Sequence, residues 1–181
     1  MAAPYGVVEK MAVSAQTDHA LNRNVKSATA LENGFIFDLL TSGTVADGES
    51  EVYVATVPTT SALDNLWMLC ADDVVWTSEY RNLNPDVRDY QLAIGKIGSA
   101  FKPQVGDILK VSADALSAAV TTETFFNAAN ATWQLVPGAS QTASALSFKL
   151  IRESYMSIGL GSLGTQRITA YEIECVSTGA A

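Results

Sequence analysis

The sequence predicts a mainly β protein: one β-sandwich or barrel-like domain with an extended N-terminal arm and at most one or two short helices. Three observations predict it. Short apolar runs of β-rich composition recur along the chain, Gly, Pro, Asn or Asp punctuates them, and strands do not alternate with long helical stripes. With 181 residues, the chain is near the usual size of one domain and can bury one sizeable core. No repeat of fixed period and no linker divides it, so the organisation is an arm over 1–30 and a single β-rich domain over 31–181.

In residues 1–30, Val and Ala are scattered without a helical or strand period, and "NRNVKSATALENG" is polar and aperiodic. This segment is expected to be loosely held when the protein is alone. "GFIFDLLTSG" and "SEVYVATVP" then read as two strands joined through the Asp47-Gly48 turn, a hairpin with a loop longer than two residues. "NLWMLCADDVVWTS" reads as strand, acidic turn at Asp72-Asp73, and strand. "EYRNLNPDVRDYQ" has an Asn-Pro-Asp turn and little to bury, which predicts a long exposed loop.

"FKPQVGDILKVSADAL" is the most structured-looking stretch. Pro103 lacks a ladder donor, Gly106-Asp107 makes a turn, and Ile108 and Lys110 alternate with Leu109 and Val111 along a strand. The stretch therefore reads as scaffold. As a turn residue, Asp107 is expected to tolerate Asn at a cost of about 1 kcal/mol. Ala113–Val120 is Ala-rich and is the one plausible helix. Three further segments of β-rich composition, "TWQLVPG", "ALSFKLIRESYMSIG" and "RITAYEIECVS", complete the chain.

Composition excludes several functions. The 11 Lys and Arg against 19 Asp and Glu give a formal charge of −8, which removes the main source of affinity for a phosphate backbone, so no nucleic acid is expected as a partner. No window approaches a membrane-spanning run, and no basic region leads into an apolar segment as in a secretory signal; synthesis in a cytoplasm is expected. Cys70 and Cys175 are too few for a disulfide framework and fall on apolar strand faces beside Leu66 and Met68, and beside Tyr171 and Ile173. They read as reduced core thiols, with a disulfide or metal role as the alternative.

No enzymatic constellation stands out. The single histidine, His19, lies in the polar arm, and one His with two distant Cys makes no zinc set. "GLGSLG" has dinucleotide-loop spacing without a βαβ unit and reads as a hairpin loop. Asp72-Asp73 and the Asp47, Glu49, Glu51 group lack calcium-loop spacing and read as solvated turns. Neither a cofactor nor a metal is expected. Trp67, Trp76 and Trp133 lie in strand-like segments and read as core or half-buried. Tyr80, Arg81, Arg88 and Tyr90 instead sit in the polar tract, and Tyr and Arg are the types enriched at interfaces.

The order of features, from "ATALENGFIFDL" through "EVYVATVP" and "NLWMLCADD" to "AFKPQVGDILKVSADAL" and a closing "YEIECVS", resembles the capsid decoration or cement proteins of tailed bacteriophages. The likeness covers the chain from about Ala28 onward and is compositional and positional. It implies a non-enzymatic β-rich virion protein that binds the outer surface of the assembled capsid, stabilises it by bridging subunits of the major capsid protein, and associates with itself, a trimer being favoured. The candidate contacts are Tyr80, Arg81, Arg88 and Tyr90 in the polar tract and Tyr5, Val7, Val8 and Met11 in the arm. The other readings are a β-sandwich module that binds a carbohydrate or receptor, on a viral fibre or a cell surface, and, third, a small hydrolase, which would need His19 or a carboxylate pair in a concave pocket.

Overall fold

The structure, a computed structural model, describes residues 5–39, 51–59, 63–71, 87–142, 144–159 and 165–179. Its strands are β1 (Val8–Ala12), β2 (Asn22–Lys26), β3 (Ile36–Leu39), β4 (Val52–Thr56), β5 (Trp67–Leu69), β6 (Gly98–Phe101), β7 (Ile108–Ser112), β8 (Phe125–Asn127), β9 (Val136–Gly138), β10 (Leu146–Gly159) and β11 (Thr165–Thr178). They form two sheets. β2-β4-β3-β5-β6 closes into a five-stranded barrel, and β1-β7-β11-β10-β8-β9 is a six-stranded antiparallel sheet. The mainly β expectation is met.

Period-two alternation explains how the two sheets share a core. In β3, β5 and β6, Phe37, Leu69 and Ala100 point into the barrel with Val25, Leu31 and Ala55. Their neighbours Ile36, Met68 and Phe101 point the other way, into one cluster with Leu109, Val111, Phe126, Phe148, Tyr171 and Ile173 of the sheet. Each fully buried Phe or Leu contributes roughly 1.5–3 kcal/mol, so this shared cluster fastens barrel to sheet. The predicted pairing of the "GFIFDLL" and "EVYVAT" runs is present, with Asp38 opposite Thr56 and Leu39 opposite Ala55. The Asp47-Gly48 connection, Asp72-Asp73, Trp76, Tyr80 and Arg81 lie outside the described residues.

The segment read as an arm is described over residues 5–30. Residues 5–30 are built into both sheets: Val8 pairs with Val111 at one edge of the six-stranded sheet, and Asn24 pairs with Ser99 and Val52 within the barrel. Val7, Val8, Val13, Ala15 and Val25 are buried. Gly6 shows how tightly the segment is held, because a Cβ there would meet the Asn33 carbonyl oxygen at 2.5 Å and the Ala115 Cβ at 2.8 Å.

Asp107 is the second fastening of that segment. Its buried carboxylate accepts from the Ser14 N–H and hydroxyl, each at 2.8 Å, and from the Gln104 N–H at 2.8 Å. Gly106, at φ +93°, turns the chain so that its N–H donates to the Cys175 carbonyl while the Cys175 N–H donates to the Asp107 carbonyl. A turn residue in sequence is thus a three-way joint in the fold. The predicted helix shrinks to a single 3-10 turn at Ala113–Ala115, since the N–H of Ser117 donates to Leu135 instead of continuing the helix. Cys70 and Cys175 are free thiols, and burial together with the nearby Asp107 charge pushes the Cys175 thiol up to about 12.

Candidate functional site

The N-terminal segment and the 87–92 segment meet on the outer face of the six-stranded sheet. Val7 anchors the first: its N–H donates to the Ser112 hydroxyl at 3.0 Å, and the Ser112 N–H donates back to its carbonyl at 2.9 Å. The Tyr5 N–H then donates to the Arg88 carbonyl at 2.9 Å. Arg88 sits in a 3-10 turn, Val87–Asp89, and its Nη2 donates to Gln166 of β11 at 2.8 Å. Val87 packs on an apolar cluster of Val7, Met156, Ile158, Ile168 and Ala170.

This changes the standing of the sequence-predicted contact residues. Tyr5 and Arg88 are half-buried and come together, and Met11 is exposed on β1. Val7, Val8 and Tyr90 are buried, Tyr90 within the barrel cluster beside Leu31 and Leu92. Of the polar tract 79–91 only residues 87–91 are described, and just beyond them Leu92 exchanges backbone hydrogen bonds with Leu31, which ties the end of the tract to the barrel.

Beside Tyr5 lies a cleft of about 510 Å³, walled by Glu32, Asp114, Leu116, Ala119 and Gln134. Burial raises the Glu32 carboxyl; the Gly6 N–H, which donates to it at 3.4 Å, opposes the rise, and the Asp114 charge adds to it. Burial also raises Asp114, against the pull of Arg88. Chemically, the pair can accept hydrogen bonds from a cationic or amide side chain of a partner.

The face bearing the Val7 cluster changes character along β10 and β11. At the β1 end it carries a line of ions across four strands: Glu9, Lys110, Glu172 and Arg152. Arg152 grips the buried Glu172 carboxylate with two bonds, of 2.6 and 3.0 Å, and holds its carboxyl below the usual carboxylate range. Farther out, Ala170, Ile168, Met156 and Ile158 make the same face apolar and buried. The opposite face does the reverse. Tyr171 is in the shared core, whereas Tyr155, Ser157 and Arg167 beyond it are exposed.

That exposed face is what sequence reasoning missed. The five outermost pairs of the β10–β11 hairpin, Tyr155 with Thr169 to Gly159 with Thr165, have no third strand among the described residues. On this ribbon the Arg167 guanidinium lies 4.1 Å from the centre of the Tyr155 ring. Alternation along "ESYMSIG" could have separated Tyr155 from Met156, but only the tertiary structure shows which of the two faces is covered.

Fold and site together define a class: a mainly β protein in which a closed five-stranded barrel shares its core with a six-stranded sheet that projects a two-stranded ribbon. No protein-family model, curated protein or solved structure matches this chain.

Proposed function

We propose that the protein is a non-enzymatic structural component of a phage virion, seated on the outer surface of the assembled capsid and stabilising it by bridging subunits of the major capsid protein. The observation that carries this reading is the β10–β11 hairpin. Fourteen residues per strand, at about 3.3 Å each, reach roughly 45 Å. The ribbon continues past its neighbouring strands and presents Tyr155, 46% exposed, stacked with Arg167. Tyr and Arg are the side chains that most often anchor interfaces. A ribbon that runs past its neighbouring strands extends the reach of one molecule toward a second capsid subunit, and simultaneous engagement multiplies weak contacts into avidity. Self-association, with a trimer as the expected form, would multiply it again.

The test is co-sedimentation with assembled candidate capsid shells, with the solution mass measured alongside by light scattering. Wild-type protein is expected to pellet only with shells. A Tyr155→Ala, Arg167→Ala double variant should bind at least about 30-fold more weakly, the scale of losing an interface anchor worth about 2 kcal/mol. Both side chains are solvent-exposed, so its melting temperature should match the wild type. Wild-type protein that stays in the supernatant overturns the reading; a variant that pellets like wild type removes the hairpin as the contact.

A further inference from the structure

A second concavity lies on the barrel wall, where β2, β4 and β6 leave a polar cleft of about 500 Å³. One of its lining residues, Asn24, stands directly opposite Ser99 in the β2–β6 pairing and level with Val52 in the β2–β4 pairing. Directly opposed residues hold their Cβ atoms about 4.5–5.5 Å apart, so the Asn24 amide and the Ser99 hydroxyl stand side by side. Glu51 and His19 also line the cleft.

Two walls are fixed in advance. The Asn22 side-chain amide donates to the Ala15 carbonyl at 2.7 Å, and Arg23 Nη1 donates to the Asn22 carbonyl at 2.9 Å. The Arg23 guanidinium also lies 5.7 Å from the Tyr53 ring centre and 5.6 Å from that of Trp67, so two aromatic faces set its plane. The rest of the lining is uncommitted. The side chains of Asn24, Ser99, Glu51 and His19 make no hydrogen bond or ion pair to any described residue.

The chemistry selects a ligand class. Asn24 and Ser99 each donate and accept, Arg23 donates through its remaining N–H groups, and Glu51 accepts. One cation, Arg23, and one anion, Glu51, line the same space, so net charge favours neither a phosphate nor a basic peptide. Arg23 already lies against Tyr53 and Trp67, which leaves little apolar floor for a flat hydrophobic ligand. Interleaved donors and acceptors matched to adjacent hydroxyls are what a sugar ring requires. We propose that this cleft is a binding site for a neutral saccharide unit, a role that stands apart from the capsid contact of the hairpin.

The experiment is a titration of the whole isotope-labelled protein, followed by backbone amide NMR. The probes are neutral methyl glycosides of glucose, galactose, mannose and N-acetylglucosamine, with glucuronic acid as the charged comparison. A broad printed glycan panel widens the search to oligosaccharides. At least one neutral sugar should shift the amides of Arg23–Val25, Tyr53 and Ser99, with a dissociation constant on the order of 1 mM for a single ring. Asn24→Ala and Ser99→Ala should each weaken it about tenfold, the loss of one well-made polar contact, with spectra otherwise unchanged because both residues are exposed. No neutral sugar bound in either format, binding of the acid alone, shifts centred elsewhere, or binding indifferent to Asn24→Ala would each overturn the assignment.

Discussion

Replacing Asp107 tests the joint between the N-terminal segment and the body. Its carboxylate accepts three hydrogen bonds, two from Ser14 and one from Gln104, and is itself buried. Asn keeps one acceptor oxygen but turns an NH2 group toward one of those donors, so at least one charge-assisted bond is lost and a donor faces a donor. Charge-assisted bonds contribute about 1.5–3 kcal/mol each. Ser14 is exposed and Gln104 half-buried, so water can recover part of the loss. Asp107→Asn should therefore cost about 2–3 kcal/mol, above the 1 kcal/mol expected of an ordinary turn, and Asp107→Ala about 3–4. For a chain of this size, each kcal/mol lowers the melting temperature by roughly 2–4 °C, so the Asn variant should melt about 4–12 °C early. Urea unfolding gives the free energy directly, and Ser14→Ala, alone and combined with Asp107→Asn, measures the coupling. If Asp107→Asn lies within about 0.5 kcal/mol of wild type, or the two substitutions simply add, the carboxylate is not the joint described.

Gly6→Ala should destabilise by about 1–3 kcal/mol, because the added Cβ meets the Asn33 and Ala115 backbone; an unchanged urea midpoint would mean that the N-terminal segment is not packed as described. Cys175 should resist iodoacetamide in the native protein at pH 8 and react only on unfolding, as its burial and raised thiol demand; mass spectrometry showing Cys175 alkylated under native conditions would contradict this. Glu172 has its carboxyl lowered in the fold, so its ionised form stabilises the protein above its ordinary value of 4.5, and that stability is lost as the pH falls through the lower folded value. Glu172→Gln should lower the urea midpoint at pH 7, and the difference should shrink steadily toward pH 3; a difference independent of pH would show that the ion line is not its source.

The strands that alternate cleanly were legible in sequence. Leu109 and Val111 in β7, and Tyr171, Ile173 and Cys175 in β11, are buried where the period places them. β1 and β2 were not, for a physical reason. β1 lies at a sheet edge, and β2 buries only Val25, so neither carries an apolar stripe; their place is set by Val111, Ser99 and Val52, far away in the chain. β8 is three residues long and shows no period. In the candidate site, residue type alone misled: Tyr90 in a polar tract is a barrel residue, while the exposed Tyr and Arg pair lies in a segment legible only as a strand. The Ala-rich stretch after β7 shows local helix propensity overruled by the backbone of Leu135.

The placement of β7 between β1 and β11 governs how the protein can be born. Val111 pairs with Val8 on one side and with Tyr171 on the other, so a strand made early must wait about a hundred residues for its neighbour, and that neighbour waits again for one made late. Loops that long are slow to close, and no local hairpin supplies the missing partner. On the ribosome, the six-stranded sheet and the core beneath it cannot assemble until residues 165–178 have emerged. Until then the apolar face of β7, Leu109 and Val111, stays open, the kind of exposed surface that makes partly folded chains prone to aggregate.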